Sequence, residues 1–317
     1  MTFAIKFTDF NILHCMNTNL NLSTKHLLFV LITVIIWGTN FIAIYLGLKE
    51  LPPFLFCTIR FALSALPFVF FIPRPKAPLL FIIAFGIFNF ALQFGLLFSG
   101  IQMGLSPGLA SLVMQIQVFF SMGLAILLFK ETPNWFKISG SLISFVGIGI
   151  VAAHVGGDVT TIGLLLTLMA SLAWASGNMF TKKINAVSPL SLVVWGNLVA
   201  FPFMAATSYY IDGTDLIIHS ISTISWTAVL AIIYVVYIST HIGYGLWGLL
   251  IKTYPTAAVV PFTLLIPIVG FLSSAIYLKE ELTDWKLYAS FFIMIGLVFN
   301  LFESKILKFI ALIKRNN

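Results

Sequence analysis

Leu27 to Leu48 reads LLFVLITVIIWGTNFIAIYLGL, a stretch without a single Asp, Glu, Lys, Arg or His. An α-helix rises 1.5 Å per residue, so about 20 apolar residues span the hydrocarbon core of a bilayer. The stretch is therefore a membrane helix, and its few polar groups gather around Trp37-Gly38-Thr39-Asn40. Nine further runs of the same kind follow. They cover Pro53–Ile72, Pro78–Phe98, Pro107–Phe129, Phe136–Ala153, Ile162–Phe180, Pro189–Tyr210, Trp226–Ile251, Thr256–Leu278 and Trp285–Phe302. They are long and continuously apolar rather than alternating, which predicts helices and not barrel strands.

Composition agrees with that reading. Of 317 residues 60% are hydrophobic and only 9% charged, where soluble domains carry about 25% charged residues. Too few charges remain to cover a water-facing surface, so lipid is the outer solvent. The cysteines, Cys15 and Cys57, form no disulfide framework, and Cys57 reads as a small buried hydrophobe. The net charge of +7 is dispersed among short loops, which is a topology signal and not a nucleic-acid patch.

The joints between runs are short and carry Pro, Gly and charge, as at Pro73-Arg74-Pro75-Lys76 and Lys130-Glu131-Thr132-Pro133. Pro67, Pro202, Pro261 and Pro267 fall inside runs and are expected to kink them. With a cytoplasmic N-terminus, Lys25, Arg74, Lys76, Lys130, Lys137, Lys182, Lys183, Lys252 and the basic end from Lys305 all lie inside. Only Lys49, Lys279 and Lys286 then face out. This bias predicts a multi-pass membrane protein with both termini cytoplasmic. Residues 1–26 read as a polar cytoplasmic tail without the features of a signal peptide, with Met16 a candidate start. Residues 303–317 read as a basic cytoplasmic tail.

The two halves of the chain repeat one another. At an offset of 150, Gly95-Leu96 meets Gly245-Leu246, Ala125-Ile126 meets Ala275-Ile276, Glu131 meets Glu281 and Trp135 meets Trp285. Trp37-Gly38-Thr39-Asn40-Phe41 likewise parallels Trp174-Ala175-Ser176-Gly177-Asn178. The expected fold class is all-α integral membrane, with ten transmembrane helices arranged as two five-helix repeats, 27–153 and 160–302. Five is odd, so the second copy enters the bilayer from the opposite side, an inverted pair with its site near the midplane.

The Trp37–Phe41 segment, Arg60-Phe61, and spans ending in Lys130-Glu131 and Lys279-Glu280-Glu281 resemble the EamA family of the drug/metabolite transporter superfamily. Within the family the likeness is greatest to amino-acid exporters. It rests on Arg74-Pro75-Lys76-Ala77-Pro78, Pro107–Val113, Gln115 with Gln117, Trp174–Lys183, Gly243–Gly248 and Leu265–Gly270. His241 departs from the apolar residue the family leads one to expect there. The resemblance implies a secondary transporter that exports amino acids such as O-acetylserine and cysteine by alternating access. Its partners would be a small-molecule substrate and the lipid bilayer, with no nucleic acid, cofactor or metal.

A carrier of polar metabolites needs a few dipoles facing one cavity, with aromatics shaping its wall. Helical spacing offers Trp37 with Asn40, Asn89 with Gln93, Ser111 with Gln115, and Trp174 with Asn178, each pair on one face; Tyr244 joins them as an aromatic. Gln115 and Gln117 lie about 200° apart on a helix, and Gln115 is the one expected to face the cavity. The alternative role of each amide is hydrogen bonding between helices. Arg60 and His241 are candidates for handling charge. Arg60 needs water, carbonyls or a substrate carboxylate, while His241 is expected to be neutral and bonded to a tyrosine. No G-x-x-x-x-G-K-[ST] loop is present for ATP-driven pumping, and the five histidines form no cluster with a nucleophile or acid. An enzyme or a channel therefore ranks below a carrier.

Overall fold

The computed structural model describes residues 22–184 and 189–316. Ten helices in it are long and apolar enough to cross a membrane. They are α1 (Thr24–Leu48), α2 (Pro53–Ala65, prolonged by a 3-10 turn at Phe68–Phe70), α3 (Leu79–Gln102), α4 (Pro107–Phe129) and α5 (Trp135–Ala153). The second five are α6 (Thr161–Lys183), α7 (Pro189–Ile211), α8 (Trp226–Thr253), α9 (Thr256–Tyr277) and α10 (Asp284–Asn316). The start at Met16 lies outside the described residues.

Three boundaries depart from the sequence reading. The α-helix of α2 stops at Ala65 because Pro67 has no N–H to give, and Leu66 before it is extended (φ −95°, ψ 132°). α1 starts at Thr24, inside the expected tail, where the Ser23 side chain caps the His26 N–H. α10 runs on to Asn316, so the basic end continues a helix. Between α7 and α8 lies a short helix, Thr214–Ser222, that hydropathy did not single out.

Hydrogen bonds sort the joints into two groups. Ser225 donates to Glu50, Leu55 N–H donates to Asp212, and Ser106 with Lys286 meets Glu280. These bonds tie the α1–α2 joint to the α7–α8 joint and the α3–α4 joint to the α9–α10 joint, and the Lys286–Asp158 pair adds the α5–α6 joint to the second set. At the opposite ends of the helices Ser23 and His26 bond Tyr254, while Ser191 and Trp195 bond the carbonyls of Pro73 and Ile72. This is the alternation that ten successive crossings require.

The interior is irregular at paired places. α3 carries a π segment at Ile87–Leu92 and α8 one at Tyr234–Gly243. α4 carries a 3-10 turn at Met114–Ile116 and α9 one at Val260–Leu264, where Pro261 sits. α4 is capped by a lysine in the left-handed region, Lys130 (φ 54°), and Lys279 (φ 59°) takes the same conformation two residues past the end of α9.

Packing follows the same pairing. α1 lies against α8 and α9, α6 against α3 and α4, α2 against α7, and α5 against α10. Lipid tails are as apolar as these helices, so close backbone approach and van der Waals fit must hold them together. At Gly38 an added Cβ would come within 2.6 Å of Val269, which is how α1 seats against α9. Gly140 and Gly147 give α5 the same closeness to α10, and Ser144 donates to the Ile293 carbonyl at 3.0 Å. Trp135, Tyr210, Trp226 and Tyr277 stand exposed at span ends, the level at which aromatic rings favour the membrane–water interface.

Candidate functional site

Asn40, Arg60, Asn89, Gln93 and Gln115 are all buried, and each sits near the middle of its span. α1 contributes Trp37, whose indole N–H donates to the Ser239 carbonyl at 3.1 Å in the π segment of α8. Its ring packs on Tyr244 and Trp247, at centroid separations of 5.2 and 5.4 Å. Gly243 lets the indole in, since a Cβ there would lie 2.5 Å from its nitrogen. Trp37 and Tyr244 are thus brought together as one aromatic wall.

Arg60, on α2, is only 2% exposed. Its guanidinium stacks on Phe94, 3.7 Å from the ring centroid, with Phe61 and Phe98 further out. Nη2 donates to the Thr240 hydroxyl at 3.4 Å, and Thr240 in turn donates to the Val235 carbonyl. Nε and Nη1 have no hydrogen-bond acceptor, and among the described residues no carboxylate pairs with this cation.

Asn89 and Gln93 both fall at the π segment of α3, one within it and one at its end. The wider turn places Asn89 against α6, where Gly177 admits it: a Cβ there would lie 2.5 Å from Asn89 Oδ1. The side-chain oxygens of Asn40, Asn89 and Gln93 are buried with no donor. A buried polar atom without a partner carries a desolvation cost of about 1–3 kcal/mol, so each of these oxygens is a feature to explain.

The 3-10 turn in α4 separates the two glutamines. Gln117 accepts from Asn178 at 3.1 Å and from Ser121 at 3.4 Å, which joins α4 to α6. Gln115 is buried and takes no part in that bridge. Asn178 therefore acts between helices through its amide N–H, while Trp174 stands half-buried one turn away on α6. Ser111 bonds carbonyls of Gly108 and Pro267.

His241 corrects the sequence reading. It bonds no tyrosine: Nδ1 lies 2.9 Å from the Val236 carbonyl and Nε2 3.2 Å from the Ser64 carbonyl. Its ring stacks with Phe68 and Tyr237. The π segment supplies the reason, because its wider turn brings the Val236 carbonyl within reach of the side chain five residues on. His241 is a clasp between α8 and the end of α2.

A model of the EamA-like transporter family matches residues 24–153 and again 161–302. The chain belongs to the EamA-like transporter family. It is 38% identical over 291 residues to a "probable amino-acid metabolite efflux pump" of Salmonella typhimurium, covering 90% of this chain and 97% of that one. The Escherichia coli protein of the same description is 38% identical, covering 89% and 96%. A "probable terminal-alkyne amino-acid exporter" of Streptantibioticus cattleyicolor is 22% identical, covering 79% and 84%. A solved crystal structure superposes with a TM-score of 0.62 at 15% identity, over 90% of this chain and 99% of that one, which shows the shared fold.

This EamA protein is thus a multi-pass membrane transporter and not an enzyme. Two parts of its site were invisible in the sequence. Phe94 and Thr240 hold Arg60, yet a Phe and a Thr in apolar runs carry no signal. Lys286 reads as a loop lysine, but it is 1% exposed. It lies 2.5 Å from Asp158, 3.2 Å from Glu280 and 2.8 Å from the Glu281 carbonyl. Glu280 also accepts from Ser106 Oγ at 2.6 Å and Gly108 N–H at 3.2 Å. The cluster borders a cleft of about 620 Å³ at that end of the molecule.

At the same rim, Glu50 accepts from Ser225 N–H and Oγ at 2.8 and 2.6 Å, and the hydroxyl bond above all holds its carboxyl below the usual range. Asp212, which caps α2 through Leu55, has its carboxyl raised by partial burial in spite of its bonds to Ser208 and Leu55.

Proposed function

We propose that this protein exports small polar metabolites, amino acids such as O-acetylserine and cysteine, across a bacterial inner membrane by alternating access. The observation that carries the reading is the set of buried amide oxygens on Asn40, Asn89 and Gln93, halfway along α1 and α3, that no protein donor satisfies. A cargo rich in N–H and O–H donors is what such oxygens accept. The near full-length likeness to proteins described as amino-acid metabolite efflux pumps supports the same cargo. Gln115, Trp37, Trp174 and Tyr244 complete the wall, and Asn178 steadies it through Gln117.

In this reading residues 27–153 and 160–302 are inverted repeats that rock about the central site. The paired π segments, paired 3-10 turns and paired helix contacts support it. The excess of lysine and arginine at the end holding Lys25, Arg74, Lys76 and Lys130 supports cytoplasmic termini. The opposite rim, closed by Lys286, Asp158 and Glu280, is then the outer gate.

The test is counterflow of labelled cysteine and of O-acetylserine in proteoliposomes. Saturable exchange is expected, with Asn40→Ala and Gln93→Ala raising the half-saturating concentration at unchanged protein level. Exchange of another compound class with neither amino acid competing would overturn the cargo. Non-saturating flux would overturn the carrier.

A further inference from the structure

We infer that Arg60 is the docking point for the carboxylate of the transported amino acid; this rests on the amino-acid reading above and sharpens it. The argument begins with what the guanidinium lacks. A buried arginine that serves structure is expected to meet a carboxylate or a set of carbonyls, because an uncompensated charge in a low-dielectric interior is unfavourable. Arg60 meets neither: one N–H reaches Thr240, one face lies on Phe94, and Nε and Nη1 are left without acceptors.

The planar fork offers two edges that can bind a carboxylate with two parallel hydrogen bonds, Nε with Nη2 and Nη1 with Nη2. Thr240 takes one hydrogen of Nη2, and with Nε and Nη1 unpartnered one whole edge stays open. A Thr hydroxyl and a phenyl face hold the remainder of the group, so its orientation is set before any ligand arrives. Thr240, which holds the fork, follows Ser239, whose carbonyl accepts from the Trp37 indole, so the fork meets α8 one residue from the aromatic wall assigned to the site.

The surroundings also exclude an acidic side chain as the customary partner. The acidic residues at the start of α2, Glu50 just before it and Asp212 on its Leu55 N–H, are engaged at the rim with Ser225, Ser208 and Leu55. A ligand carboxylate entering the site completes the fork without displacing an existing ion pair. The chemical consequence is selectivity: molecules with a free α-carboxylate are held, and the same molecules as amides are not.

The experiment is competition against labelled L-cysteine counterflow in proteoliposomes containing the full chain. Unlabelled L-cysteine, L-cysteinamide (ammonium kept, carboxylate lost) and 3-mercaptopropionate (carboxylate kept, ammonium lost) serve as competitors. Cysteinamide is expected to compete at least 10-fold more weakly than cysteine, with mercaptopropionate between them. Arg60→Lys should retain weakened exchange and Arg60→Gln should lose it. Equal competition by cysteinamide and cysteine on the unmodified protein would overturn the docking role while leaving amino-acid export standing, and it needs no variant to fold. Absence of any cysteine or O-acetylserine counterflow would overturn both.

Discussion

Among the described residues two cations are buried, and they are housed in opposite ways. Lys286 at the rim has Asp158, Glu280 and the Glu281 carbonyl around its ammonium. Arg60 in the middle has a hydroxyl and three phenyl rings. The first arrangement is complete as it stands, and its members come from the ends of α4, α9 and α10 and the α5–α6 joint. The second is incomplete, and its members come from α2, α3 and α8. A complete ion cluster holds elements in place, whereas a cation with unfilled donors is available to something that comes and goes.

The comparison breaks most readily at Lys286. Removing one partner of a buried pair leaves an uncompensated charge and costs about 3–5 kcal/mol. Lys286→Met should therefore lower the melting temperature in detergent by the largest margin of any change considered, or abolish a monodisperse peak on size exclusion. Arg60→Met leaves no orphaned carboxylate, so the fold should survive while cysteine counterflow is lost. If both variants unfold alike, the distinction between the two cations fails.

A rescue sharpens the point. Combining Lys286→Met with Glu280→Gln and Asp158→Asn neutralises the stranded charges, and the triple variant should regain a large part of the lost stability. The pairs touch, so their effects are coupled and not additive.

A smaller effect is expected at Trp37→Phe, which removes the hydrogen bond to Ser239 while keeping an aromatic ring. The loss should be about 0.5–1.5 kcal/mol in thermal stability, with a raised half-saturating concentration for cysteine if the ring shapes the site.

The smallest effects belong to the rim carboxylates, and they have opposite signs. The lowered carboxyl of Glu50 contributes stability that is present above its unfolded value and is lost as pH falls through its folded one. The raised carboxyl of Asp212 works the other way, so stability declines as pH rises from the ordinary aspartate value through the folded one. Glu50→Gln should flatten the acid limb of a melting-temperature profile, and Asp212→Asn should remove the decline at higher pH.

The hydrophobic runs made the number and class of the helices legible, because crossing a bilayer demands length and apolarity that no other structure requires together. Lysine and arginine placement carried the expected orientation, and Glu131 with Trp135 suggested the proposed repeat. The irregular turns were another matter. Nothing in Ile87–Leu92 or Tyr234–Gly243 announces a π segment, since the widening depends on what packs alongside. That widening moved the bond of His241 from a tyrosine to the Val236 carbonyl, and it set Asn89 against Gly177.

The chain by itself determined that this is a ten-helix membrane protein with buried amides and one buried arginine, because the hydrocarbon core constrains every residue that enters it. Only the tertiary structure decided which charge is matched and which is free. Pairing across distant spans is a matter of distance and direction between side chains, as Lys286 with Asp158 and Glu280 shows, and a linear pattern of residue types contains neither.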